Sequence, residues 1–310
     1  MKINSKINLT NMRFKQNTRQ VAILLAVMML TTFIACNSGD SQERYGDIIE
    51  TEIEEVEKEV KTDQTEETVF YMLPSALQIA HIYRKSGLKY FPNLTSEIKN
   101  VDKYVTETSK LQNLGVYSAD LCYVALNKQT QEQLYYLKAM MDMSGDLGFS
   151  SVFSSGAFVD RFENNMESED SMIVILSQLQ QRLDYYLEDG EMEDKSTIIF
   201  SGAWIESIYV SLTGFRMEGE GSGASIRIHE QLNILSSLIG KLEKVWQPDD
   251  KITGMIEDLK AMRTMVESFD FMEEVDKESH VLLKNVTMSE KELDQLEESV
   301  REIRTKIING

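Results

Sequence analysis

The chain reads as all-α, a multi-helix bundle, on three observations. Apolar residues recur at spacings of three and four through most of its 310 residues, as in Met172, Leu176, Leu179, Leu183 and Tyr186, and again in Ile252, Ile256, Leu259, Val266 and Phe269. Convincing strand alternation is absent. Helix breakers are sparse: only three prolines occur, and the stops fall at Phe91-Pro92-Asn93, Ser144-Gly145-Asp146, Asp189-Gly190, Pro248 and the stretch from Gly214 to Ser225. These divide the body into roughly eight helices.

Taken in order, residues 1–35 carry Lys2, Lys6, Arg13, Lys15 and Arg19 and no acid, ahead of an apolar run from Val21 to Ile34. That run is shorter than the ~20 residues a membrane-spanning helix needs, so it reads as a cleaved secretion signal. Ala35 is small and Cys36 follows it. The segment TFIAC, with Phe33 where leucine is usual, resembles the bacterial lipoprotein signal. The resemblance implies that Cys36 becomes a lipidated first residue anchoring the protein in a membrane, since each buried methylene contributes ~0.8 kcal/mol and several chains hold where one does not. It also implies the cell outer membrane, on its periplasmic face, because Asn37 and not aspartate follows the cysteine. An ordinary signal, or an uncleaved helix with an incidental cysteine, is the plainer reading. Cys122 lies among apolar residues far along the chain, and with Cys36 lipidated no disulfide framework is available.

Removing residues 1–35 takes away five basic residues and no acidic ones, moving the net charge from −19 to −24. So acidic a chain, without a basic stripe, excludes nucleic acid as a partner. Residues 36–68 are an acidic, partly helical tether: Asp40 to Glu67 holds twelve acidic and three basic residues, yet Ile49, Ile53, Val56 and Val60 form a narrow helical stripe. Residues 69–287 are the helical-bundle body. Residues 288–310 form a C-terminal amphipathic helix with the stripe Leu293, Leu296, Val300, Ile303 and Ile307. Ser289 and Glu292 make a capping box at its start, Met288 and Leu293 flank it as a hydrophobic staple, and Glu297–Arg301 and Glu302–Lys306 are favourable pairs. Amphipathic helices thus stand at both ends of the mature chain, where each could cover the other.

Within the body, DLCYVAL from Asp120 matches ESIYVSL from Glu206, and EQLYYL from Glu132 matches EQLNIL from Glu230, at offsets of 86 and 98 residues. Either two related helical-hairpin repeats or the shared vocabulary of core helices accounts for this.

Asp120 and Glu206 are the only charged residues in otherwise apolar helical stretches, Leu114–Leu126 and Phe200–Leu212, and each has a tyrosine three residues on, Tyr123 and Tyr209, on the same face. Buried carboxylates are costly unless paired. One reading makes the four residues a site for a small ligand, a cation or acid–base chemistry. The structural reading, which we favour, has each acid bridging to an arginine, with Arg84, Arg161, Arg182 and Arg263 as partners.

Other constellations do not reach a chemistry. His81, His229 and His280 are isolated, so no metal face is formed. GEGSGA at Gly219 lacks the preceding strand a dinucleotide site requires. The acidic turn Asp189 to Asp194 lacks the glycine and closing glutamate of a calcium loop. Met140, Met141, Met143, Met255, Met262 and Met265 read as core fillers rather than soft-metal ligands. Ser86 and Lys89 stand without companion motifs. The expectation is a noncatalytic lipid-anchored helical protein of the bacterial envelope without a cofactor, a binding or scaffold module for a protein partner or small ligand. The alternative is a ligand- or cation-binding protein, or an enzyme, centred on Asp120 and Glu206.

Overall fold

The computed structural model describes residues 89–153, 156–218, 234–270 and 288–310, all within one unit of the chain, Tyr71–Gly310. The signal, Cys36, the acidic tether with its Ile49–Val60 stripe, Arg84, the three histidines and the loop from Gly219 lie outside the described residues.

Among the described residues the chain forms helices and no strand. A 3-10 helix at Ile98–Lys103 precedes α1 (Glu107–Leu126), α2 (Thr130–Asp146), α3 (Ser150–Phe153), α4 (Gly156–Glu163), α5 (Glu169–Asp189) and α6 (Glu193–Glu218). Then follow α7 (234–242), α8 (Asp250–Glu267) and α9 (Glu290–Ile308). Side-chain oxygens satisfy the orphan N–H groups at several starts: Thr106 accepts from Ser109, Ser168 from Ser171 and Asp249 from Ile252. Ser289 and Glu292 form the reciprocal capping box expected for α9. Gly190 ends α5 where the sequence places the stop.

Two stops fall within their breaker segments but past the first glycine of each. Helix α2 runs through Ser144-Gly145 to Asp146, and α6 runs through Gly214 to Glu218. A glycine inside a helix costs only ~1 kcal/mol, and the burial of neighbours such as Met143, Ser144, Leu212 and Phe215 offsets it.

Helix α1 is apolar almost all round and accordingly lies at the centre, packed on α6 and α2 and touching α5 and α9. Glu107 pairs with Lys195 at 2.6 Å, Gly115 lies against Ile199 and Ala203, and Gly202 lies against Gln112. The separation in residue number stays between 84 and 90 along these contacts, so α1 and α6 run parallel. Helix α6 is long and apolar enough to cross a membrane, but most of its apolar stretch is buried in the bundle, as in a core helix.

The stripe of α9 is buried, and α6, α8 and α1 are its packing partners. The C-terminal helix therefore belongs to the body. Lys306 reaches Asp258 of α8 at 2.6 Å instead of pairing with Glu302, whereas Arg301 does meet Glu297, at 3.6 Å. A pairing of this helix with Ile49, Ile53, Val56 and Val60 concerns residues outside those described.

Candidate functional site

The parallel register of α1 and α6 brings Asp120 and Glu206 face to face. Both are fully buried, and their carboxyl groups are within hydrogen-bonding reach of each other. Arg304 of α9 closes the site, its Nε and one terminal nitrogen donating to the two oxygens of Glu206 at 2.6 and 2.7 Å. The second hydrogen bond of that terminal nitrogen goes to the carbonyl of Leu94 at 3.3 Å. Such a planar fork matches a carboxylate in geometry as well as charge. The guanidinium also lies over the Tyr209 ring, 4.0 Å from its centroid.

Asp120 is held differently. Its Oδ2 accepts from the Ser96 backbone N–H at 3.0 Å, while Oδ1 accepts no hydrogen bond among the described residues. Burial, and then the adjacent Glu206 carboxylate, push the Asp120 carboxyl well above the usual carboxylate range; Arg304 and the Ser96 N–H pull the other way and do not prevail. Burial works against the charge on Arg304, but Glu206 more than offsets it and the guanidinium stays charged.

The segment ahead of α1 covers the acids. Tyr136 of α2 donates to the Ser96 carbonyl at 2.6 Å and Tyr117 of α1 to the Glu97 carbonyl at 3.2 Å. Tyr104 donates to Ile308 of α9 at 3.2 Å. Each phenol is turned onto a backbone carbonyl, and burial raises the pKa of all three.

The structure thus brings Asp120, Glu206 and Tyr209 together and leaves Tyr123 out. The Tyr123 hydroxyl donates to the Lys89 carbonyl at 3.1 Å and accepts from the Phe91 N–H at 2.7 Å, pinning the start of the covering segment. Three of the four expected arginines are also corrected, Arg84 lying outside the described residues. Arg161 bonds Gln178, Arg182 lies over Phe158 and Arg263 faces Glu267, while Arg304, not among the four, supplies the positive charge. A signal for it was present: Arg304 is four residues after Val300 and eleven after Leu293, so it shares the buried face of α9.

Two cavities lie elsewhere. One, of about 60 Å³, runs between α1, α2, α5 and α6 and is lined by Leu121, Cys122, Met140, Leu179 and Leu183. The other, of about 270 Å³, lies by α8 and α9 and includes Gln112, Met255, Asp258 and Lys306. Neither is lined by Asp120 or Glu206.

Cys122 is buried beside the first cavity, and burial followed by the Asp120 charge pushes its thiol up to about 12. Thiolate is the reactive form, so Cys122 is expected to resist iodoacetamide in the folded protein and to react once urea is added. Peptide mapping of the Cys122 peptide reads this directly. Rapid native labelling would contradict the burial.

Comparison of the chain with protein-family models, with curated proteins and with solved structures yields no match.

Proposed function

We propose that the chain is a noncatalytic, lipid-anchored protein of the bacterial cell envelope, held on the periplasmic face of the outer membrane through Cys36. Its helical body acts as a binding or scaffold module. The observation that carries this reading is the order of a basic segment, a short apolar run, Ala35 and Cys36. What supports the noncatalytic part is the state of the acid pair. A reacting group needs access to substrate, whereas Asp120 and Glu206 are sealed under the segment before α1 and engaged by Arg304. The alternative, a ligand or catalytic centre at these acids, draws only on their convergence.

Two related helical hairpins are part of the same reading. Its support is that α1 and α6 begin 86 residues apart, at Glu107 and Glu193, and lie side by side in that register, with Asp120 opposite Glu206. Two copies of one helix packed in parallel would place equivalent residues together in this way.

The test is mass spectrometry of the membrane fraction of a bacterium expressing the full chain. The mature protein is expected to begin at an acylated Cys36, and Cys36→Ser to stall as precursor or to leave the membrane. A soluble wild-type protein beginning elsewhere would end the anchor reading.

A further inference from the structure

We propose that Asp120 and Glu206 hold one proton between them, seated on Asp120 and donated to Glu206, and that this proton pins α9 to the α1–α6 pair, so the bundle loosens as the solution becomes more alkaline.

The geometry leaves one proton as the missing partner. Among the described residues Arg304 is the single cation in the site, and both of its hydrogen-bonded nitrogens serve Glu206. Asp120 receives one N–H, from Ser96, and its Oδ1 has no donor although the residue is fully buried. A buried carboxylate with an orphan oxygen and a second carboxylate for a neighbour is among the costliest arrangements a protein interior can hold. A carboxylic acid resolves it, because an Asp120 O–H is a donor for the neighbouring Glu206 carboxylate.

Among the described residues no other group facing the pair supplies that donor. From the segment before α1 comes Tyr104, from α1 Tyr117 and Cys122, from α2 Tyr136, from α6 Tyr209 and from α9 Arg304. Tyr104, Tyr117 and Tyr136 spend their hydroxyl protons on the carbonyls of Ile308, Glu97 and Ser96, and Tyr209 meets the guanidinium with its ring face. With the proton in place, the described groups of the site sum to neutral: one acid, one carboxylate, one guanidinium. Losing it to solvent leaves two carboxylates against one guanidinium, and the charge that binds α9 through Arg304 then faces its own repulsion.

The direction with pH follows from linkage. An unfolded aspartate releases its proton near pH ~3.9, whereas the native Asp120 keeps it well above that range. The native state therefore binds the extra proton, and stability present at low pH is lost as pH rises, by up to about tenfold in the folding constant per pH unit.

The experiment is urea unfolding of the full chain in a nonionic detergent from pH 5 to pH 8, a window below the titration of Cys122. The wild-type folding constant is expected to fall by up to about tenfold per unit. Asp120→Asn, which carries a permanent neutral donor, should stay folded with that slope removed. Asp184→Asn is the control, since partial burial also raises the Asp184 carboxyl; the slope assigned to Asp120 should persist in it. A flat wild-type profile, or a slope that survives Asp120→Asn or disappears with Asp184→Asn, overturns the proposal. Infrared difference spectra of the wild type at neutral pH read the proton without relying on a variant. A buried protonated carboxyl band supports it, and absence of that band overturns it even if Asp120→Asn does not fold.

Discussion

Arg304→Ala is expected to lower the unfolding free energy by about 3–5 kcal/mol, the usual cost of stripping one partner from a buried charge pair. A domain of this kind commonly has ~5–15 kcal/mol of stability in total, so the variant should populate unfolded chains under mild conditions, and urea titration followed by circular dichroism would show it. The cost is set less by the lost attraction than by what is left behind. Without the guanidinium, Glu206 remains fully buried beside Asp120 with no positive charge among the described residues, and the Leu94 carbonyl loses its Arg304 donor. The same logic makes the double variant Glu206→Leu with Arg304→Met recover most of the loss, because apolar groups of similar volume need no partner. A cost below about 1 kcal/mol for Arg304→Ala, a value typical of exposed pairs, would mean that the site is open to water. The neighbouring pairs on α9 supply that comparison within the same molecule: Arg301 with Glu298 lies on the surface, and removing it should be nearly neutral.

The helical class, the capping box of α9 and the burial of Asp120 and Glu206 were legible in the sequence because each rests on local spacing: a 3.6-residue period, a Ser-x-x-Glu start, a charge alone in an apolar helix. That the two acids meet was not legible: the favoured reading gives each its own arginine, and the 86-residue offset between DLCYVAL and ESIYVSL becomes a contact in space only through the parallel packing of α1 on α6. What supplies the counter-charge was not legible in the same way. Its place four residues after Val300 puts Arg304 at the edge of the apolar stripe of α9, but which acid it meets depends on how α9 lies over α6, a property of tertiary packing and not of the helix itself. The covering segment is harder still. Ser96 acts through its backbone N–H and Leu94 through its carbonyl, groups every residue possesses, so no side-chain pattern could single them out. Tyr123 illustrates the opposite error. Its position one turn from Asp120 places it on the right face, yet its hydroxyl extends past the acid to Lys89 and Phe91.

Gly202→Ala and Gly115→Ala are expected to destabilise the protein by about 3 kcal/mol each, at the upper end of what overpacking a core costs, although the same change in an ordinary helix interior stabilises by roughly 0.5–1 kcal/mol. The sign is reversed by how closely α1 and α6 approach. A Cβ on Gly115 would fall inside the Ile199 carbonyl oxygen and 2.7 Å from the Ala203 nitrogen, and one on Gly202 would fall inside the Gln112 carbonyl oxygen. These neighbours are backbone, so no rotamer change relieves the clash; the helices must separate. Separation acts on the acid pair as well, since Asp120 and Glu206 lie further along the same crossing and their shared hydrogen bond depends on it. Gly240 in α7 and Gly254 in α8 are internal controls, because a Cβ at either meets nothing within 4 Å, and alanine there should raise stability by roughly 0.5–1 kcal/mol through the unfolded chain. Urea midpoints of the four variants, measured side by side, separate close helix packing from glycine's general helix penalty. Opposite signs for the two pairs are the expected result, and a stabilising Gly202→Ala would show that α1 and α6 do not pack backbone to backbone.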